Sequence, residues 1–505
     1  MRLIDDFLNR ITMYRLVLYM LIVTLAVAMG LGFLGKLAFN GWAILWCTLF
    51  LTAVSYITNK VFALVFEAPT NTESVYITAL ILALIITPAN SFHGFVFLGW
   101  AAVLAQASKY ILAVGKKHIF NPAAIAVVIT AFGIGQSASW WVGNLSLAPI
   151  VAAGGLLVAR KIRREDMVWY FLLGAAVTIL AFTVARGNNV FSAMNTLLFH
   201  SSLLFFAFVM LTEPLTTPPT ARGQIIYALL VGVLFAPQIH IGSIYSTPEL
   251  ALVVGNMFSF AVSPKIKMVL TAKERKEIAP GMYDFVFGIK RKINYKPGQY
   301  MEFTLAHPKT DDRGNRRYFT LASSPTEDTL RIGVKFYNPS SSFKKEMLGL
   351  DQHVPIVAAQ LAGDFTLPED TSLKLAFIAG GIGVTPFRSM MKYLTDTNQK
   401  RDVVLMYANK TAEEIVYKEV FDAAKAAIGA KTVYTITDAA KAPPGWTGEV
   451  GRIDAAMIQR QIPDYRERTF YVSGPHAMVT AYEETLQSLG VPRKQVVTDY
   501  FPGFA

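Results

Sequence analysis

Apolar runs near 20 residues long recur through residues 13–262 of this 505-residue chain, and residues 265–505 contain none. About 20 helical residues rise about 30 Å, the thickness of a bilayer's hydrocarbon core. The chain therefore divides into a membrane half and a soluble half before any motif is read. Its content, 53% hydrophobic and 16% charged, is the average of those two halves and too apolar for an ordinary soluble enzyme. Ten apolar segments can be marked: 16–34, 41–57, 75–88, 95–114, 122–135, 144–159, 167–185, 190–211, 224–237 and 249–263. Several are short or interrupted by Gly and Pro. Lipid tolerates such breaks only where protein or a cavity satisfies the freed backbone groups, so they point to a site and not merely an anchor. Residues 1–15 carry two Asp and three Arg, with no small-residue cleavage site obvious after the run that follows, so the first helix is expected to be retained.

Basic residues gather at Arg10 and Arg15, at Lys116 and Lys117, at Arg160, Lys161, Arg163 and Arg164, and at Lys265 and Lys267. The positive-inside rule places them on the cytoplasmic side, and ten crossings return both termini there. The net charge of +12 then faces anionic lipid and requires no nucleic acid partner. Cys47 is the only cysteine. One thiolate holds neither an iron–sulfur cluster nor a cysteine zinc site, so no metal is expected and Cys47 reads as a small buried hydrophobe. Any electrons must travel through organic cofactors.

Two interruptions in the membrane half are alike in kind. One includes Ile86-Thr87-Pro88-Ala89-Asn90 and, later, the run from Gly115 through Asn121-Pro122-Ala123-Ala124; the other runs from Thr212-Glu213-Pro214 to Thr220-Ala221-Arg222-Gly223. A polar, proline-bearing break after an apolar helix, once in each half, is what inverted repeats around a binding site show. The stretch Thr78 to Ala124, with LILALIITP and IFNPAA, resembles the RnfD/NqrB family, membrane proteins of two respiratory complexes, Rnf and the sodium-pumping NADH:quinone oxidoreductase. EPLTTPPTARG is similar to that family's Asp-Pro segment, with Glu213 in place of the Asp and Pro218-Pro219 in place of small residues. The resemblance implies FMN attached through a phosphoester to Thr220, with Asn121 also a cofactor-binding candidate and Arg222 available to pair with the flavin phosphate. The bland alternative is a proline-rich turn in which Thr bonds back to the backbone. A count of ten crossings puts Thr220 inside, whereas the family's flavin transferases act outside the cytoplasm; a re-entrant segment would reverse the count.

The soluble half changes rhythm near residue 370. Up to Asp364, short strands separated by Gly, Pro and Asp (Lys267–Leu270, Tyr283–Ile289, Gln299–Leu305, Arg317–Leu321 and Leu330–Phe336) predict a small antiparallel barrel. From Leu373 strands alternate with helices: Leu375–Ala379 into Pro386–Thr395, Val403–Tyr407 into Ala412–Ala427, then Thr432–Thr437, Phe470–Val472 into His476–Leu489, and Gln495–Thr498. That alternation predicts a doubly wound parallel sheet. Arg317-Tyr318-Phe319-Thr320 offers a cation for a diphosphate, an aromatic for an isoalloxazine face and a hydroxyl for its N5 edge. Gly380-Gly381-Ile382-Gly383-Val384-Thr385-Pro386 lets backbone approach a phosphate at the opening of a helix.

These motifs, in this order, resemble the ferredoxin–NADP reductase family. Tyr295-Lys296-Pro297-Gly298-Gln299 is similar to its PGQ turn, and Ser340, Ser341 and Ser342 fall where that family binds pyrophosphate. Ser473-Gly474-Pro475-His476-Ala477-Met478 is similar to its Cys-Gly-Pro-x-x-Met segment, with Ser473 approaching the nicotinamide, and Phe501 falls where an aromatic covers the flavin. Each of these residues also has a plain reading, a loop hydroxyl for the serines and core packing for Phe501. The resemblance implies FAD and NAD(P)H as cofactors, with Thr320, Ser473 and Phe501 at the reacting ring.

The expected organisation is thus a transmembrane domain at 1–264, an FAD-binding barrel at 265–370 and an NAD(P)-binding α/β domain at 371–505. The expected activity takes a hydride from NAD(P)H to FAD and passes electrons singly to FMN in the membrane half, then to a quinone, a flavoprotein or an extracytoplasmic acceptor. The expected place is the cytoplasmic membrane, multi-pass, with the reductase half in the cytoplasm. Lys410 leaves NADH and NADPH at parity. Two other classes fit the same outline. A haem-containing ferric reductase or NAD(P)H oxidase needs paired histidines on two helices, which His93, His118, His200 and His240 do not supply by spacing; a nucleotide-regulated transporter would bind nucleotide without reducing flavin.

Overall fold

The computed structural model describes residues 4, 7–8, 11–66, 72–114, 117–264, 266–307, 310–311, 314–351 and 353–501. Arg10, Lys116, Lys265 and the side chains of Lys117 and Phe501 lie outside the described residues. The chain forms two compact units, Met1–Lys265 and Ile266–Ala505.

The first unit is helical: α1 (Met13–Phe33), α2 (Gly41–Val65), α3 (Thr72–Ile85), α4 (Phe92–Ile111), α5 (Pro122–Ile134), α6 (Ala148–Ile162), α7 (Glu165–Ala185), α8 (Val190–Phe199), α9 (Leu203–Met210), α10 (Ala221–Leu234) and α11 (Pro248–Val262). Local sequence sets the starts. Side chains of Thr12, Asn40, Ser91, Asn121, Asn189, Thr220 and Thr247 each accept a first-turn amide, and Pro122 and Pro248 open their helices where no N–H is needed.

Each of the ten apolar segments finds a helix, the eighth finding the pair α8 and α9, but among the described residues only α1, α2, α4 and α7 are long and apolar enough to cross a membrane. The pair α8 and α9, bent by 54°, makes a fifth if it is one broken span. α3, α5, α10 and α11, at 13–15 residues, rise about 20–23 Å. Hydropathy counts apolar residues beyond a helix end, such as Ile86, with the helix itself, and so lengthens the segments.

α1 packs on α2, α3 and α6; α2 on α3 and α4; α4 on α5; α5 on α11; α7 on α10; and α10 on α11. The α7–α10 approach needs Gly232, where a Cβ would stand 2.6 Å from the Phe171 carbonyl oxygen. A two-residue hairpin, β1 (Ala113–Val114) with β2 (Lys117–His118), separates α4 from α5, and an equivalent one, β3 (His240–Ile241) with β4 (Ile244–Tyr245), separates α10 from α11. Lys161 Nζ donates to the Leu8 carbonyl at 2.7 Å, so the end of α6 lies beside the start of α1 and the two helices run in opposite directions.

The second unit opens with seven strands in two antiparallel sheets. One is β10-β7-β6 (Thr329–Lys335, Met282–Gly288, Ala272–Ala279), the other β5-β11-β8-β9 (Lys267–Leu270, Ile356–Ala362, Tyr300–Thr304, Arg316–Thr320). Their inward residues, among them Phe285, Phe287, Met301, Phe303 and Ile332, are buried in one core. A six-stranded parallel sheet follows in the order β15-β14-β13-β12-β16-β17: Glu449–Val450, Lys431–Ile436, Val403–Asn409, Leu375–Gly380, Thr469–Pro475 and Val496–Phe501. β12, first in the chain, is central, and the winding reverses between it and β16. The helix expected over 412–427 begins only at Lys418, because Tyr417 takes a left-handed backbone with φ of 60°.

Candidate functional site

In open α/β sheets a ligand crevice forms at the carboxyl ends of the strands where the winding reverses. That point lies between β12 and β16, and both motif segments end there. β12 finishes at Gly380, residues 381–384 make one tight turn, and the next helix, Thr385–Asp396, opens with Pro386 in its first turn. Gly381 has φ of +53°, a left-handed conformation suited to glycine. At Gly383 a Cβ would stand 2.5 Å from the Ser473 carbonyl oxygen, so only glycine lets the turn lie against β16. Ser473 pairs in register with Ala379 and is fully buried, and its hydroxyl has no hydrogen-bond partner among the described residues. Gly474 and Pro475 extend β16 beside Tyr500 and Phe501 of β17. A close glycine turn at a helix opening, above a buried orphan hydroxyl, fits a nucleotide diphosphate and a polar ring.

β9 alternates only as far as Phe319, since Thr320 is buried although it shares a face with exposed Tyr318. Arg317 and Phe319 share a face; the Arg317 guanidinium lies 5.1 Å from the Phe343 ring, and Phe319 packs at 5.8 Å from Phe303 and 6.2 Å from Phe343. Tyr318 turns the other way, 48% exposed, its hydroxyl donating to Glu302 at 2.9 Å. Thr320 is buried and its backbone pairs with Tyr300. The three serines differ in what they already do. Ser341 caps the helix Ser342–Met347, Ser342 accepts the Asp311 amide at 2.9 Å and meets His307 Nε2 at 2.9 Å, and Ser340 donates to the Tyr337 carbonyl.

Sequence reading missed the residues that join the end of β9 to the helix that opens on the glycine turn. Arg388, in the helix that opens on the glycine turn, donates to both oxygens of Glu327 at 2.6 and 3.0 Å and to the Ala322 carbonyl at 2.8 Å. Ser389 donates to the Ser323 carbonyl at 2.6 Å. Burial pushes the Glu327 carboxyl up, but the hydrogen bonds and charge of Arg388 outweigh it and hold the group below the usual carboxylate range. Beside them, Tyr417 donates to Asp284, which also pairs with Arg331. An arginine just after GGIGVTPF was the available signal.

In the helical unit the two interruptions meet. Asn121 Nδ2 donates to Glu213 at 2.9 Å, and Thr216 donates to the same carboxylate at 3.1 Å. His118 Nε2 stands 3.7 Å from Glu213. Asn256 of α11 accepts the Asn121 amide at 2.8 Å and donates to the Thr216 carbonyl at 3.3 Å. Asn121, Thr212 and Glu213 line a cleft enclosing about 590 Å³ of empty space, part of it open to solvent, with Ser74, Thr78 and an apolar wall that includes Val17, Ile77, Ile81 and Val209. Thr220 caps α10, accepting the Gly223 amide at 3.3 Å, and Arg222 is exposed on that helix's first turn. Neither is among the residues lining the cleft. Arg164 donates to the Thr212 carbonyl at 3.4 Å and to Thr217, so segment 212–217 shares an end of the unit with the basic run 160–164. Asn256 and Arg164 were legible only as an isolated polar residue in an apolar run and as one basic residue among several. His93, His118, His200 and His240 sit on separate elements, so the paired histidines of a two-haem protein have no counterpart among them.

Comparison with known proteins follows the same division. Residues 377–484 match the oxidoreductase NAD-binding domain, and residues 132–270 match the NQR2, RnfD, RnfE family. The second match includes the 212–223 segment and not the Thr78–Ala124 stretch. The chain is 27% identical over 219 residues to the stachydrine N-demethylase reductase subunit Stc4 of Rhizobium meliloti (strain 1021), covering 42% of this chain and 61% of that protein. It is 29% identical over 224 residues to a flavohemoprotein of Halalkalibacterium halodurans, covering 42% and 53%, and 28% identical to an NADPH oxidoreductase of Mycobacterium tuberculosis, covering 39% and 50%. It thus spans half to three fifths of the length of these relatives. Among solved structures, the flavohem-like FAD/NAD-binding domain of nitric oxide dioxygenase from Vibrio cholerae aligns at 20% identity with a TM-score of 0.41, covering 46% of this chain and 98% of that one. The chain therefore carries an oxidoreductase NAD-binding domain in its second unit and, ahead of it, a segment of the NQR2, RnfD, RnfE family.

Proposed function

We propose that the chain is a membrane flavoprotein oxidoreductase that moves electrons from NAD(P)H through FAD to FMN carried on Thr220, and on to a quinone, a flavoprotein or an extracytoplasmic acceptor. The reading assigns 1–264 to the membrane, 265–370 to FAD and 371–505 to NAD(P)H, with the reductase half on the cytoplasmic side of the cytoplasmic membrane. The observation that carries it is the reversal of winding between β12 and β16, where the turn at Gly383 lies against Ser473 and Gly474 and Gly380 lies beside Gly474. The relatives named as reductase subunits or NADPH oxidoreductases support the same chemistry for this half.

When bound, FAD accepts two electrons from the nicotinamide and releases them one at a time. The chain's own residues do the rest. Backbone amides of the glycine turn and the opening of helix 385–396 hold the nucleotide diphosphate. Ser473 offers its unused hydroxyl to the ring amide. Arg317 would supply the cation for a flavin diphosphate, Phe319 an aromatic for the ring and Thr320 a hydroxyl for its polar edge.

For the helical unit, support comes from the matching order of parts. α1 to α5, with a break at 86–90 and a hairpin of β1 and β2, and α6 to α11, with a break at 212–220 and a hairpin of β3 and β4, share one order of parts, and the first helix of one set lies against the first helix of the other. That arrangement supports inverted repeats with a site between them. A phosphate on Thr220 would sit at the start of the 14-residue α10, beside Arg222, where the helix dipole favours an anion.

The test uses the full-length protein in detergent. NADH or NADPH added anaerobically should bleach two flavin equivalents, and a denaturing gel under ultraviolet light should show one of them bound to the chain. Thr220→Asn keeps a helix cap without a hydroxyl and should lose that fluorescence while the protein stays folded. Colourless protein, or fluorescence unchanged in the variant, would refute the relay.

A further inference from the structure

We propose that Arg388 is a positioning residue for hydride transfer, fixing the nucleotide loop against the end of the flavin strand; the inference rests on the reductase reading above. Arg388 is 5% exposed, and its helix begins at Thr385, directly on the glycine turn. Its guanidinium reaches out of the parallel sheet layer to the Ala322 carbonyl, two residues beyond the end of β9, and spans both oxygens of Glu327. Glu327 in turn accepts the Ser324 amide at 2.6 Å. Ser389 fastens the next carbonyl, that of Ser323, which also accepts the Tyr295 hydroxyl at 2.9 Å. The other face of the guanidinium lies 5.6 Å from the Tyr417 ring, and the Tyr417 hydroxyl is held by buried Asp284 of β7. Tyr417 keeps a left-handed backbone that a bulky residue adopts only when its surroundings impose it. One side chain, on the helix that opens at the glycine turn, therefore contacts the loop after β9 and the segment that leads into helix Lys418–Ile428.

The reaction that needs this geometry transfers a hydride. The C4–H bond of the dihydronicotinamide breaks with both electrons, an N–H bond forms at flavin N5, the nicotinamide is oxidised by two electrons, and the reduced flavin takes one proton from solvent. Rate depends on how closely the two rings are held; a misplacement of about 1 Å costs about 100-fold. Binding of either partner does not depend on it in the same way, since the guanidinium contacts are to the Ala322 carbonyl, to Glu327 and to the Tyr417 ring.

Arg388→Lys retains the charge opposite Glu327 but cannot span both oxygens and the Ala322 carbonyl. In full-length protein followed anaerobically by stopped flow, the limiting rate of flavin bleaching should fall about 10-fold or more, with nucleotide Kd within about twofold and flavin content unchanged. Two further signatures should accompany it: weaker long-wavelength charge-transfer absorbance when oxidised nucleotide binds the reduced protein, and faster amide hydrogen exchange at Ser324 and Arg331 in nucleotide-free protein. Ser389→Ala and Glu327→Gln should give smaller losses of the same kind, and they carry the test if Arg388→Lys does not fold. A limiting rate within about twofold of wild type, or a parallel fall in rate, affinity and flavin content, would overturn the positioning role. Wild-type protein that neither nucleotide bleaches would instead overturn the reductase reading on which it rests.

Discussion

Gly383→Ala tests the proposed nucleotide seat at one atom. The new Cβ would lie 2.5 Å from the Ser473 carbonyl oxygen, 2.6 Å from Gly474 Cα and 2.8 Å from Gly474 N, and ordinary contact begins at 3.4 Å, so the carbonyl contact must open by 3.4 − 2.5 = 0.9 Å. Every clashing atom is backbone. Ser473 and Gly474 belong to β16, which is paired to β17 and, through Ser473, to β12, so the turn moves and the strand does not. Overpacking of this kind costs about 1–3 kcal/mol. If the bound nucleotide needs the original spacing, that cost appears as about a 5- to 150-fold weaker Kd at 1.4 kcal/mol per decade. The barrel strands are untouched, so flavin content should not change. Anaerobic titration with NADH and with NADPH, read at the flavin bands, measures the shift. A Kd equal to wild type with full flavin content would show that the turn is not where nucleotide binds.

Two further outcomes follow from the same contacts. Because Arg388 holds the Glu327 carboxyl below its ordinary value of 4.5, an unfolded chain binds a proton there before the folded one does, so this contribution is complete above pH 4.5 and is lost as pH falls through the lower folded value. Flavin release followed from pH 6 downward should therefore steepen below about pH 4.5 in wild type and less so in Glu327→Gln; identical profiles would refute the linkage. Asn121→Ala removes the cap of α5 and the donor to Glu213, which should destabilise the helical unit by about 1–3 kcal/mol, seen as earlier thermal aggregation in detergent with nucleotide Kd unchanged.

Much of this architecture was legible in sequence because its signals are local. Apolar runs located the helices, and the turn chemistry of Gly380–Pro386 and the Gly, Pro and Asp residues that bound strand Arg317–Leu321 located their elements to within a residue or two. What failed was also local. β6 reads Lys-Glu-Arg-Lys-Glu, a run of charge on an edge strand of its sheet that carries no apolar pattern, and β11 is small and Ala-rich. The helix expected from Ala412 breaks at Ile415-Val416-Tyr417, where the backbone of Tyr417 is set by distant Asp284 and Arg388 and not by its neighbours. The pairings Asn121–Glu213 and Arg388–Glu327 span 92 and 61 residues; one sequence shows that the groups exist and not that they meet.

The polar cluster of the helical unit separates into parts that folding requires and parts that it does not. A break between helices leaves amides and carbonyls that must find other partners. Asn256 meets that need for both interruptions at once, accepting from the Asn121 amide and donating to the Thr216 carbonyl. Glu213 collects the leftover donors of Asn121 and Thr216, and Arg164 covers the Thr212 carbonyl. These groups would be present whether or not a cofactor ever bound, so loss of activity on changing them says little about chemistry. Thr220 and Arg222 differ. The cap that Thr220 provides needs only a side-chain acceptor, which Asn or Ser supplies equally well, and Arg222 is exposed at the start of a helix whose positive end already disfavours a cation. A cation held against that dipole makes sense if an anion belongs between them. That is why Thr220→Asn, and no change at Asn121, Glu213 or Asn256, isolates flavin attachment from assembly of the bundle.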